Sequence, residues 1–157
     1  MKLLLRGTVQ IAIGKTTIRL KNDVSPDFAM ALAQTLMIGA QSSSGYGSGF
    51  ALPNGLVILL LNNNSVVATI EASITRFTDQ FTTSGELTSV TVVGSDATPT
   101  QYEFNQLELY TVVGNTLYMK VAYVNLPTTI SKGQNDIVQI TWKEEILSGG
   151  ALISYTN

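Results

Sequence analysis

The chain contains no histidine and no cysteine. Without a thiol there is no cysteine nucleophile, no disulfide, no Cys/His zinc site and no cysteine-held iron–sulfur cluster. Without an imidazole there is no Ser-His-Asp triad and no histidine general base. Charge is scarce too: Asp, Glu, Lys and Arg make up 13% of the residues, against about 25% in an average soluble domain. Ser, Thr, Asn and Gln fill the polar share instead. No long apolar run is present either. Residues 56–61 form a solid apolar stretch, far short of the ~20 residues that span a bilayer as a helix. Residues 1–6 (MKLLLR) begin with a cation and a short apolar run, but Arg6 ends it below the about 7–15 residues of a signal h-region. The expectation is a protein made in the cytoplasm without export and without a membrane segment.

What is present is 157 residues, enough for one domain with an extra arm. A chain of that size buries roughly 70% of its unfolded surface and needs no metal or disulfide staple. Net charge is −2, from nine basic and eleven acidic residues. That balance argues against nucleic acid as the main partner, because phosphate binding needs a basic patch. The cations are unevenly placed, however. Lys2, Arg6, Lys15, Arg19 and Lys21 all precede the first acid, Asp23. Two readings follow: solvated strand faces, or an N-terminal segment that lies on an acidic partner surface.

Residues 8–13 alternate, with Val9, Ile11 and Ile13 on one face. Gly14-Lys15 suits a two-residue turn, since Gly supplies a positive φ at its first position. Residues 17–20 return as a second strand, which predicts a β-hairpin. One short helix is signalled next. Ser25 can cap it, Pro26 fits its first position, Asp27 suits its positive end, and Gly39 can stop it. Between Phe28 and Ile38 only Gln34 and Thr35 are polar. A helix apolar nearly all round must be covered by its own domain or by a neighbouring subunit. Residues 40–49 (AQSSSGYGSG) read as a flexible loop. The three glycines there are no nucleotide cradle, because no helix signal and no P-loop lysine follow.

From residue 56 the pattern is β throughout. Strands are predicted over 56–61, 66–77, 87–93, 102–110, 117–124 and 137–145. Turns fall at Asn62-Asn63-Asn64, Ser84-Gly85 and Gly114-Asn115, and loops at 94–100 and 126–135. On the 66–77 strand Val66, Ala68, Ile70, Ala72 and Ile74 share a face. On the last strand Val138, Ile140 and Trp142 do so. The fold class expected is mainly β, an antiparallel β-sandwich or barrel of β-tulip or jelly-roll character, with one short N-terminal helix and extended terminal arms. The organisation expected is an accessory region over 1–55, a β core over 56–146, and a C-terminal arm or edge strand over 147–157. Gly149-Gly150 is a candidate hinge for that arm, which would add a strand to a neighbour's sheet.

Little catalytic chemistry survives the missing residues. A glycosidase needs two carboxylates about 5–9.5 Å apart. Glu103 and Glu108 differ by an odd number of positions, so a regular strand points them to opposite faces; Glu144 and Glu145 also alternate. Ser131-Lys132 sits in a polar loop, not in the dry pocket a Ser–Lys dyad needs. No D-x-D-x-D run suggests a calcium loop. The expectation is no enzyme, no cofactor and no metal. A sugar-binding module is the competing class. Tyr102, Phe104, Tyr110, Tyr118, Tyr123 and Trp142 are its candidate platform, unless they pack in the core or in cross-strand pairs.

Two regions together resemble tailed-bacteriophage virion proteins. One is the hairpin, the capped apolar segment SPDFAMALAQTLMIG and the Gly/Ser loop. The other runs from RFTDQFTTSGELTSVTVVGSD to LPTTISKGQNDIVQITWKEEI. The chain is most similar to capsid decoration (auxiliary head) proteins of long-tailed phages, thermophilic ones included, although thermophile proteins usually carry more charge and fewer amides. The resemblance implies a homotrimer on the outer capsid surface that bridges capsomers, with the major capsid protein as partner. It implies no nucleic acid, no membrane and no catalytic residue. Contacts to capsid or sister subunit are expected from Lys2, Arg6, Lys15, Arg19, Lys21, Phe28, Leu32, Leu36, Leu152, Ile153 and Tyr155. The alternative is a tail or fibre component that binds a carbohydrate.

Overall fold

A computed structural model describes residues 2–27, 54–82 and 85–149. All the elements among them are strands: β1 (Lys2–Ile13), β2 (Thr16–Val24), β3 (Gly55–Asn62), β4 (Ser65–Thr82), β5 (Gly85–Asp96), β6 (Tyr102–Val113), β7 (Thr116–Lys132) and β8 (Val138–Gly149). They close into an antiparallel barrel in the order β1-β2-β7-β6-β3-β4-β5-β8. The mainly β antiparallel class is therefore observed, as a barrel. The helix expected from Pro26 lies outside the described residues beyond Asp27. At its expected start, Ser25 Oγ accepts the Asp27 N–H at 3.2 Å. The Gly/Ser loop and the segment 151–157 also lie outside them.

Turn chemistry sets the hairpins. Gly14 takes φ 59° between β1 and β2, with Ile13 opposite Thr16. Asn63 and Asn64 take φ 49° and 70° between β3 and β4, the paired positive values of a type I′ turn, which asparagine tolerates. Amides hold that turn. Asn63 N donates to Asn105 Oδ1 at 3.0 Å and Asn64 N to Gln106 Oε1 at 2.7 Å, while the Asn105 and Gln106 amides donate back to the Asn63 and Asn64 side chains. Part of the chain's amide richness is thus turn fastening.

Closure pairs most of the sheet edges that would otherwise be open to other chains, leaving β2 before Asp23 and β4 beyond Ala72 paired on one side among the described residues. The N-terminal hairpin takes part in it: β1 pairs with β8 from Lys2↔Gly149 to Ile13↔Val138. The segment expected to stand apart as an accessory region thus supplies two of eight staves. β2 joins β7 by only two register pairs, Asp23↔Tyr123 and Val24↔Ala122, plus a bond from Ser25 N to Val121 O at 2.8 Å. This is the thinnest seam of the barrel.

An eight-stranded barrel is just wide enough for side chains to fill it. Here Val9, Ile11, Ile58, Leu60, Phe104, Leu107, Val138, Ile140 and Trp142 fill it and are fully buried. β3 is buried on both faces, because Val57, Leu59 and Leu61 form a second apolar cluster on its outer side with Tyr110 and Val112. The expected 94–100 loop starts later than expected: Gly94 and Asp96 still pair with β8. The expected 126–135 loop is largely strand, because β7 runs to Lys132. Pro127 falls in an irregularity of the β6–β7 ladder between Phe104 and Gln106, where a missing N–H breaks no ladder bond.

Bulges also revise the predicted faces. One between Leu60 and Leu61 pairs Leu61 with Val66, turning Val66 outward, away from Ala68 and Ile70. Another between Ile74 and Arg76 reverses the alternation of β4, so Arg76 faces out and Phe77 lies on the inner side. The irregularity in β6 does the same between Phe104 and Gln106. Glu103 and Glu108 therefore both face outward, contrary to the regular-strand expectation. Their five-residue separation spans about 16 Å of strand, too far for a glycosidase pair.

Candidate functional site: a cationic groove on the outer face

The outward side chains of β2, β1, β8, β5 and β4 line one groove of about 630 Å³. Residues from β2 and β4, at the two margins of this five-strand run, reach the same groove, so the sheet is concave there. Arg19 and Lys21 come from β2, Arg76 from β4 and Lys143 from β8. Thr8, Gln10, Thr78, Gln80, Ser89, Thr91 and Thr141 supply hydroxyls and amides, and Leu87 adds apolar surface; Val9 and Leu20 also border the groove but lie on the inner faces of their strands. No lining residue is acidic.

The four cations are exposed. Among the described residues the ion pairs are Arg6–Glu145 and Lys120–Glu108, and neither involves a groove cation. Arg19 Nε donates to Gln10 Oε1 at 2.8 Å, which fixes its stem on β1. Thr78 and Ser89 share a hydroxyl–hydroxyl bond across β4 and β5. Like charges lining a concavity repel each other and raise the local potential for anions. The groove thus has the charge to attract anions and is rich in hydroxyl and amide groups that can bond carboxylates.

The structure divides the residues expected to make contacts. Arg19 and Lys21 enter the groove. Arg6 lies on the same outer face but is held by Glu145 at 3.3 Å. Lys15 sits exposed in the β1–β2 turn. Lys2 belongs to β1, with its side chain outside the described set. Phe28, Leu32, Leu36, Leu152, Ile153 and Tyr155 lie outside the described residues. Arg76 and Lys143 were missed in the sequence because each stands alone along the chain. Only the strand order and the β4 bulge bring them beside Arg19 and Lys21.

Two further polar clusters lie within the barrel and are satisfied internally. In the first, Trp142 Nε1 donates to Glu144 Oε1 at 2.8 Å and to Asn22 Oδ1 at 3.0 Å. Burial pushes the Glu144 carboxyl up to about 7, against those hydrogen bonds, and the Glu145 charge adds to the rise. In the second, Lys132 is 2% exposed. Its Nζ donates to the carbonyls of Thr98, Thr100 and Gly133. It also stands 5.7 Å from the Tyr102 ring centroid. The Tyr102 hydroxyl donates to Asp96 Oδ2 at 2.8 Å. Burial alone would raise Asp96, but bonds from Thr98 and Tyr102 and the Lys132 charge hold it below its usual value.

The aromatic residues form no shared platform. Trp142 and Phe104 are core, Tyr102 is tied to Asp96, and Lys120 stands over the rings of Tyr110 and Tyr123 at 5.9 and 5.7 Å. The aromatics most exposed among the described residues are Phe77 at 65% and Phe81 at 86%, neither of them in the predicted set.

The chain matches no protein-family model and no solved structure. It is similar to "Uncharacterized protein 53" of Sulfolobus islandicus filamentous virus (isolate Iceland/Hveragerdi), 31% identical over 147 residues, 93% of this chain and 43% of the relative. It is also similar to "Putative transmembrane protein ORF289" of Acidianus filamentous virus 2 (isolate Italy/Pozzuoli), 28% identical over 121 residues, 76% of this chain and 41% of the relative. The chain thus spans less than half the length of either. No helix among the described residues is long and apolar enough to cross a membrane. What the two relatives share with each other is their setting: both are proteins of archaeal filamentous viruses, which supports a viral protein.

Proposed function

We propose that this is a virion structural protein that works as an oligomer and lays its cationic groove on an acidic surface of the particle. The observation that carries this reading is the groove itself: four cations from three strands and, among the described residues, no carboxylate in its lining and no ion pair to quench it. The viral setting of both relatives supports it. In this reading the coat's major protein is the partner, the outer surface of the particle is the location, and the oligomer, expected as a trimer, bridges coat subunits. The relatives come from filamentous viruses, so nothing in them supports the tailed-phage head as the setting.

Co-sedimentation with purified virus particles tests the reading. The chain is expected to pellet with particles at low salt and to be released as salt rises, since contacts between exposed charges are screened. Lys21→Glu combined with Lys143→Glu is expected to abolish pelleting. Binding that survives both the substitutions and high salt would sink the proposal.

A further inference from the structure

β4 outruns its neighbour. Its pairing with β3 ends at Leu56↔Ala72, while its pairing with β5 continues to Thr82↔Gly85. From Ser73 onward the far edge of β4 has no strand partner among the described residues. β4 therefore runs past β3 as the open margin of a sheet in which β5, β8 and β1 stay paired beside it, Glu86 with Ser148 and Lys2 with Gly149; its β4–β5 end is here called the ribbon.

The ribbon has two unlike faces. One continues the outer side of the barrel and carries Arg76, Thr78 and Gln80, which line the groove. The other continues the inner side and has no core left to cover it. Ile74, Phe77 and Phe81 lie there, all exposed. Asp79 and Glu86 lie among them: Phe81 is paired with Glu86, and Asp79 with Thr88, whose hydroxyl bonds the Asp79 carboxylate at 3.1 Å. A hydrogen bond and charge from Asp79 both raise the Glu86 carboxyl, so the two acids crowd one another. A pair of crowded acids flanked by bare aromatic rings is relieved by cations and by apolar cover.

We infer that the acidic, aromatic face of the β4–β5 ribbon docks in the cationic groove of a second copy of this chain. Resting on the groove reading above, this makes a second copy, rather than the coat's major protein, the acidic surface of the particle that the groove takes. Three features favour a second copy. The acids meet Lys21 and Lys143, which form no ion pair among the described residues. Leu87 in the groove gives Phe77 and Phe81 an apolar seat. The contact also covers the rings of Phe77 and Phe81, exposed among the described residues. Because the two surfaces differ, the contact is head-to-tail: each copy offers one ribbon and one groove, and repetition gives a closed ring or an open chain.

A charge swap between two variants of the full chain tests this in sedimentation velocity. Wild type at low salt is expected to grow in weight-average mass with concentration, and to return to monomer at high salt. The groove variant Lys21→Glu/Lys143→Glu and the ribbon variant Asp79→Lys/Glu86→Lys are each expected to stay monomeric, because each then matches like charge with like. An equimolar mixture restores growth, since each variant's ribbon now complements the other's groove. Phe77→Ser/Phe81→Ser, which leaves the charges in place, is expected to weaken growth at least about tenfold in concentration, one step of roughly 1.4 kcal/mol. A monomeric wild type, assembly unaffected by either reversal, or a mixture that stays monomeric would each overturn the inference. A monomeric wild type that still pellets with particles through the groove would overturn it and leave the virion reading standing. Self-assembly through the swap pair without particle binding would do the reverse. Retention of heparin or duplex DNA by a monomeric wild type, lost in the groove variant, would assign the groove to a polyanion instead.

Discussion

Inside the barrel the indole N–H of Trp142 donates to Glu144 Oε1 at 2.8 Å, two positions further along the same face of β8. The bond joins the largest core side chain to a carboxylate that burial has made reluctant to ionise. It gives the barrel a pH dependence. The Glu144 carboxyl has its ordinary pKa of 4.5 in the unfolded chain, and burial pushes it up to about 7 in the folded one. Between those values the native state holds a proton that the unfolded state has released, so stability falls as pH rises. The loss is fully present above about pH 7 and amounts to about 3 kcal/mol. Thermal melts from pH 5 to pH 8 are expected to show a falling Tm. Glu144→Gln keeps an acceptor for the indole, and its Tm is expected to be flat over that range and above wild type at pH 8. An unchanged slope in that variant would assign the dependence to another group.

Gly7 sits where this cluster leaves no room. A Cβ there would overlap the Asn22 and Glu144 side chains, which occupy the space beside the β1 backbone. Gly7→Ala is expected to destabilise the fold by about 2 kcal/mol, the usual scale of core overpacking. Urea denaturation checks it. A second substitution, Asn22→Ala, frees space and should recover part of the loss if the overlap is its cause.

Charge is scarce in this chain, yet Lys132, one of nine basic residues, lies buried inside the protein. Its ammonium holds together the carbonyls of Thr98, Thr100 and Gly133, so removing it leaves those loop carbonyls without a donor. Lys132→Met preserves most of the volume and is expected to cost about 3 kcal/mol, as when one partner of a buried charged hydrogen-bond network is deleted. A melt within one degree or so of wild type would show that water replaces the ammonium fully.

The thin β2–β7 seam predicts where the barrel opens first. β1 is paired along both edges over Gly7 to Ile13, but Thr16 to Asn22 of β2 pair with β1 alone. Amide hydrogen exchange is expected to release the β2 amides bonded to β1 ahead of those in the β1–β8 ladder, through a local opening. Equal protection of the two ladders would mean the barrel opens only as a whole.

Local chemistry determined much of this protein from the sequence alone. Alternation, or for β3 a continuous apolar run, marked at least part of every strand. Gly14, Asn63-Asn64 and Gly114 marked turns, because a positive φ is a local demand that few residues meet. Val138, Ile140 and Trp142 were legible as a core face for the same local reason. The excess of cations before Asp23 was also legible, and two of those cations, Arg19 and Lys21, reach the groove. Tertiary structure decided the rest. Strand order is a long-range matter: nothing near Lys143 in the chain says that β8 lies beside β1, which places it near Lys21. Bulges escape a period-two reading as well. A single inserted residue before Arg76 exchanges the faces of everything after it, sending Arg76 into the groove and leaving Phe77 and Phe81 bare on the other side. The missing histidine, cysteine and charge bounded the chemistry, but only closure of the barrel gathered the few remaining cations into one site.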